Sequence, residues 1–117
     1  MAQRGGSVES HLRFGKKVFS ALIPKGQADC LVPFEEGEYQ RLKDFLKPQG
    51  RDLIEDLAKA RQVLKDKRYL NTYMVGALAR YLPIKKENWQ HALELAFHDK
   101  DLQENKRVFY QAQGEER

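Results

Sequence analysis

Two periods divide the chain. Val8, Ser10, Leu12 and Phe14 alternate with Glu9, His11 and Arg13, the spacing of a half-buried strand over about 7–14. Gly15-Lys16 supplies a turn, and the run Val18 to Ile23 predicts a second strand over 17–23, so the two form a hairpin. After the loop residues Pro24-Lys25-Gly26-Gln27, the run Asp29-Cys30-Leu31-Val32-Pro33-Phe34 predicts a strand over 29–34, and its continuous apolar character suits one covered on both faces. From there the period becomes helical. Tyr39, Leu42, Phe45 and Leu46 predict a helix over 35–47 ended by Pro48-Gln49-Gly50, and Leu53, Ile54, Leu57, Ala60 and Leu64 predict another over 52–65. Trp89, Ala92, Leu93, Ala96 and Phe97 mark one face of a helix over 86–98. A last helix over 101–113, capped by Asp99 or Asp101, places Leu102, Asn105, Phe109 and Ala112 together, with Gly114 after its end.

One segment has almost no polar face. Between Asn71, whose side chain can cap a first turn, and Pro83, which cannot extend a helix, lie Leu70, Met74, Ala77, Leu78 and Tyr81 on one stripe. Tyr73, Val75, Ala79 and Leu82 cover most of the rest, leaving Thr72 and Arg80 as the polar positions. A helix over 71–82 that is apolar all round is a buried helix. It is far shorter than the roughly 20 apolar residues a bilayer requires. Gly76, Ala77 and Ala79 allow another backbone to come close, at a cost in helix propensity. Strands first and about five helices afterwards predict an α/β domain in three layers, occupying residues 1–117 as a single unit.

Composition narrows the chemistry. A single cysteine, Cys30, excludes an internal disulfide and any cysteine-built metal or iron–sulphur site, and fits a reducing cytoplasm. Lying inside an apolar run, it reads as a small core residue and not as a nucleophile. The formal charge of +4 is concentrated: residues 1–25 carry Arg4, Arg13, Lys16, Lys17 and Lys25 against Glu9 alone. That end is either a solvated strand surface or a contact for an anionic partner, such as a phosphate-bearing cofactor or an acidic protein. The second alternative describes a non-catalytic adaptor binding through residues 1–25.

Other constellations are weak. Glu87, His91, Glu94 and His98 align along one helix face and offer imidazole and carboxylate, but opposite Trp89 and Phe97 they read as its water-facing side, so no metal site is expected. His11 stands without a neighbouring nucleophile, and no phosphate-loop, dinucleotide or zinc spacing occurs. Neither nucleic acid nor membrane is expected as a partner. Asn105, on an apolar face, reads as a buried amide bonded to a neighbouring element.

Two blocks resemble a known family. Met1 to Val8, with His11-Leu12-Arg13-Phe14-Gly15 and Leu22 to Asp29, is similar to the middle of the gamma-type domain of 2-oxoacid:acceptor (pyruvate/ketoisovalerate) oxidoreductases, especially those of indolepyruvate type. Asn71 to Leu78, with Leu82-Pro83-Ile84, Trp89, Asn105, Phe109 and Gly114, resembles that family's C-terminal block. The resemblance implies a subunit of a 2-oxoacid:ferredoxin oxidoreductase that turns an aryl 2-oxoacid into its acyl-CoA, without activity of its own. It implies that a large partner subunit carries thiamine diphosphate and iron–sulphur clusters, that coenzyme A lies nearby, and that ferredoxin is reached indirectly. Arg4, Gly5, Gly6 and Ser7 match the family's glycine-containing loop, and Asn71 and Asn105 its recurrent asparagines, which makes these six the candidate interface or cofactor-proximal positions. The family domain begins with a further strand, glycine-rich turn and helix ahead of the point matched by Met1, so a truncated domain with an open sheet edge is expected.

Overall fold

The computed structural model describes residues 10–14, 18, 20 and 22–114. Among these, two parallel strands are followed by a mostly helical half, the α/β arrangement expected from the two periods. Strand β1 (Ala28–Leu31) leads through helix α1 (Glu36–Leu42) and a 3-10 turn (Lys43–Phe45) into strand β2 (Leu46–Asp52). Parallel neighbours cannot be joined by a tight hairpin, and α1 with its 3-10 turn supplies the crossover.

The register is interrupted. Ala28 faces Leu46, while Cys30 faces Arg51 and Leu31 faces Asp52, so two steps along β1 correspond to five along β2. The excess residues form a bulge, and Gly50 within it is closely packed: a Cβ there would lie 2.5 Å from Leu46 Cδ1 and 3.0 Å from the Ala28 carbonyl oxygen. A side chain at that position would displace the Leu46 side chain and crowd the Ala28 carbonyl.

Four expectations about this half are corrected. Residues 10–14, 18, 20, 22 and 23 of the expected strands over 7–14 and 17–23 are in no strand, and the remaining positions lie outside the described residues. Side chains occupy the backbone groups a ladder would have used. Arg13 Nη1 donates to the carbonyls of Ser20 and Leu22, both at 3.1 Å, and the Ile23 amide donates to His11 Nδ1. The helix expected over 35–47 stops at Leu42, and Phe45 and Leu46 belong to the 3-10 turn and β2. Pro48, expected to end that helix, lies within β2, which no hydrophobic alternation announces; pairing with β1 defines it. The strand expected over 29–34 is shifted to 28–31 and has one strand neighbour among the described residues.

The helical half follows its periodicity more closely. Helix α2 (Ile54–Val63) begins where Asp52 Oδ1 accepts the Ile54 amide at 3.0 Å, and it buries Leu57 and Ala60, with Leu53 buried just ahead of it. A 3-10 turn (Lys67–Tyr69) feeds helix α3 (Leu70–Ala79), which is buried on most sides as expected. The Asn71 cap is corrected: α3 starts one residue earlier, its cap position is Tyr69, and no side chain caps it. The cap bond is made one turn upstream, where Asp66 accepts the Arg68 amide. Amide bonds from Tyr81 to Leu78 and from Arg80 to Ala77 tighten the end of α3 ahead of Pro83.

Helix α4 (Lys86–Ala96) buries Leu93 and half-buries Trp89, whereas Ala92 and Ala96 of the expected face stay in water. Helix α5 (Asp99–Ala112) follows His98 without a side-chain cap, contrary to the expected aspartate cap, and Gly114 with φ +82° lies past its end. Two apolar groups share α5. Leu57, Ala60, Tyr73, Met74, Ala77 and Val108 form the larger one, and Ala79, Leu93, Phe109 and Tyr110 the smaller. Helix α5 is therefore the wall between them, with α3 packed along it.

Candidate functional site

The six candidate positions separate into three environments. Arg4, Gly5, Gly6 and Ser7 lie outside the described residues. Asn71 is exposed in the first turn of α3. Asn105 is buried at 3 % exposure in α5, where every polar atom of its amide is engaged. Thr72 Oγ1 donates to Asn105 Oδ1 at 2.6 Å, and Asn105 Nδ2 donates to the Asp101 carbonyl at 2.8 Å and to Asp101 Oδ1 at 3.3 Å.

Thr72 was the residue sequence reasoning missed. One threonine on the buried part of a mostly apolar helix and one asparagine on the apolar face of another have few partners except each other once both faces are buried. That coincidence was the available signal. The junction fixes α3 on α5 with a polar bond inside an apolar interface, and so holds Asn71, one residue before Thr72, at the surface beside it.

A second cluster surrounds the end of α3. The Arg51 guanidinium stands 4.8 Å from the centre of the Tyr81 ring and that of Arg80 stands 5.2 Å from it, while Arg80 Nη2 donates to Asp56 Oδ1 at 2.6 Å. Arg51 lies next to the last residue of β2, opposite Cys30. Burial pushes the Cys30 thiol above its ordinary pKa, and Asp29 adds to the shift, with Arg51 and Lys47 opposing it. A half-buried thiol so placed carries little thiolate at neutral pH and is a poor nucleophile.

Neither cluster joins a nucleophile to a base. Glu87, His91, Glu94 and His98 are all exposed, and among the described residues no group of three or more His, Cys, Asp or Glu is placed to hold a metal ion. Trp89 Nε1 is buried with no hydrogen-bond acceptor; its ring is tilted against Phe109 at 5.6 Å. Among the described residues no helix is long and apolar enough to cross a membrane.

Comparison with known proteins decides the kinship. The family described as pyruvate ferredoxin/flavodoxin oxidoreductase matches residues 1–114. The chain belongs to that family. The match bears out the resemblance carried by the two sequence blocks and spans both halves of the fold. Within the pyruvate ferredoxin/flavodoxin oxidoreductase family, the chain is similar to indolepyruvate oxidoreductase subunit IorB of Thermococcus kodakarensis and to that of Pyrococcus horikoshii. Each is 44 % identical over 50 residues, covering 43 % of this chain and 25 % of the relative. The IorB subunit of Archaeoglobus fulgidus is 52 % identical over 46 residues, covering 39 % of this chain and 22 % of the relative. The similarity thus spans about a quarter of the length of these curated relatives. No solved structure matches.

Proposed function

We propose that this chain serves as a non-catalytic subunit, or part of one, of a 2-oxoacid:ferredoxin oxidoreductase of indolepyruvate type, supporting oxidative decarboxylation of an aryl 2-oxoacid to its acyl-CoA in the cytoplasm. The observation that carries the reading is the family match over residues 1–114 together with the three IorB relatives. Residues 1–117 are read as one gamma-type domain. The donor set of this stretch supports placing the redox centres elsewhere: clusters of the ferredoxin type are held by about four cysteine thiolates, and the chain has Cys30 alone.

Thiamine diphosphate and iron–sulphur clusters, if they serve the assembly, therefore belong to a large partner subunit, and coenzyme A would be shared at the contact. In this reading Arg4, Gly5, Gly6, Ser7 and Asn71 are interface or cofactor-proximal positions. Asn105 acts from inside, as the positioning residue that holds α3 on α5.

The test is reconstitution. Co-expression with a thiamine diphosphate and iron–sulphur subunit should yield a complex that oxidises indolepyruvate with coenzyme A and ferredoxin, while this chain alone turns over nothing. Full activity of that partner in the absence of this chain would overturn the assignment.

A further inference from the structure

A groove runs between the end of α2 and the middle of α5. It encloses about 600 Å³, with Val63, Leu64, Tyr69 and Val108 as its apolar lining. A smaller hollow of about 240 Å³ shares Leu64 with it and is lined also by Lys67 and Leu70. Val63 at the head of the groove is 37 % exposed, a large aliphatic side chain left in water at a helix end.

The rim is charged, and the balance is cationic. Asp66 is held by Arg68 at 2.7 Å and Glu104 by Arg107 at 2.9 Å, so both acidic groups are already neutralised. Lys65 and Lys67 have no ion-pair or side-chain hydrogen-bond partner among the described residues.

We propose that this groove is a docking site for an acidic amphipathic helix of a partner protein. Both hollows are open along one side, so a small molecule lying in them would keep much of its surface wet, whereas small-molecule sites bury most of their ligand. A helix laid along the trough instead covers Val63, Leu64 and Tyr69 with apolar residues spaced three and four apart. Its flanking glutamates then meet Lys65 and Lys67, two exposed cations without an ion-pair partner among the described residues. Such rim pairs steer the encounter and set the register, while the apolar contacts supply most of the affinity. The charge and shape of the groove do not depend on which reaction the assembly catalyses.

The test titrates the isotopically labelled full chain with a synthetic peptide of about 18 residues, carrying leucines at helical spacing with glutamates beside them. Amide shifts confined to residues 63–70 and 104–111 are expected. Binding should weaken about tenfold when Lys65→Glu and Lys67→Glu are combined. It should also weaken as salt rises from about 50 to 300 mM. Both lysines are exposed, so the double variant retains the fold, which the unperturbed amides of α3 will verify. Absence of saturable shifts would overturn the proposal. So would equal binding by a peptide with lysines in place of the glutamates, or saturation of the groove by phenylacetate but not by the peptide. None of these outcomes touches the reconstitution test of the subunit assignment.

Discussion

Gly76 of α3 lies directly against the backbone of Phe109 in α5: a Cβ built on Gly76 would stand 2.5 Å from the Phe109 carbonyl oxygen and 3.1 Å from Ala112 Cβ. The obstruction is main chain, which cannot rotate aside. Gly76→Ala should therefore destabilise the chain by about 1–2 kcal/mol, because overpacking outweighs the helix propensity that alanine gains. Urea unfolding measures the difference, and a variant at least as stable as the parent would refute the close contact.

The Thr72–Asn105 bond should be worth measuring as a pair. Thr72→Val leaves Asn105 Oδ1 buried without its donor, at an expected cost of about 1–3 kcal/mol. Asn105→Ala should cost at least as much, since it also opens a void. A double-mutant cycle should return a coupling of about 1 kcal/mol; strictly additive losses would mean that the two side chains do not act together.

Asn71 makes the opposite prediction. An N-cap loses about 1 kcal/mol on replacement by alanine, but Asn71 is exposed and caps nothing. Asn71→Ala should change stability by less than about 0.5 kcal/mol. If Asn71 faces the partner, the same substitution should weaken assembly of the reconstituted complex, a readout that a purely local role would leave unmoved.

Cys30 should alkylate slowly. Its thiol is raised first by burial and then by Asp29, so iodoacetamide at about pH 8 should react more slowly than with an unperturbed cysteine. Asp29→Asn should speed the reaction and Arg51→Gln should slow it, because the first removes an anion and the second a cation. Reversed effects would place the two charges differently around the sulphur.

Two exposed ion pairs set an acid dependence. The Arg61 guanidinium bonded to Glu36, and Arg68 bonded to Asp66 through side chain and amide, hold both carboxyls below their ordinary range. A depressed folded-state pKa contributes stability above the unfolded value and loses it as pH falls through the folded one. Urea midpoints should thus decline below about pH 4, and combining Glu36→Gln with Asp66→Asn should flatten that part of the profile. An unchanged slope in the double variant would show that other carboxylates govern it.

The helices from α2 onward were legible because each carries its own period. Leu57 and Ala60 on α2, Met74 and Ala77 on α3, and Val108 and Ala112 on α5 meet in one cluster. The spacing that places side chains on one face is local and survives whatever the face packs against. Gly76 was legible too, since small residues on a buried helix announce a close neighbour. The family blocks were likewise visible in the residues themselves, and the match over 1–114 agrees with them.

What the sequence by itself determined, then, was the α/β class, the helical half with its buried α3, and the kinship. Tertiary structure alone decided the rest. Strand β2, reading Leu-Lys-Pro-Gln-Gly-Arg-Asp, has no alternation of its own and exists because β1 lies beside it. Asn71 had the right chemistry for a cap, yet the preceding turn, closed by Asp66, had already begun the helix. Thr72 had to find Asn105 across 33 residues of chain, and Val63 and Leu64 of one segment had to meet Val108 of another to line a groove. Period and propensity act over a few residues, whereas strand pairing, buried hydrogen bonds and grooves join positions far apart in the chain, and only the folded packing brings those together.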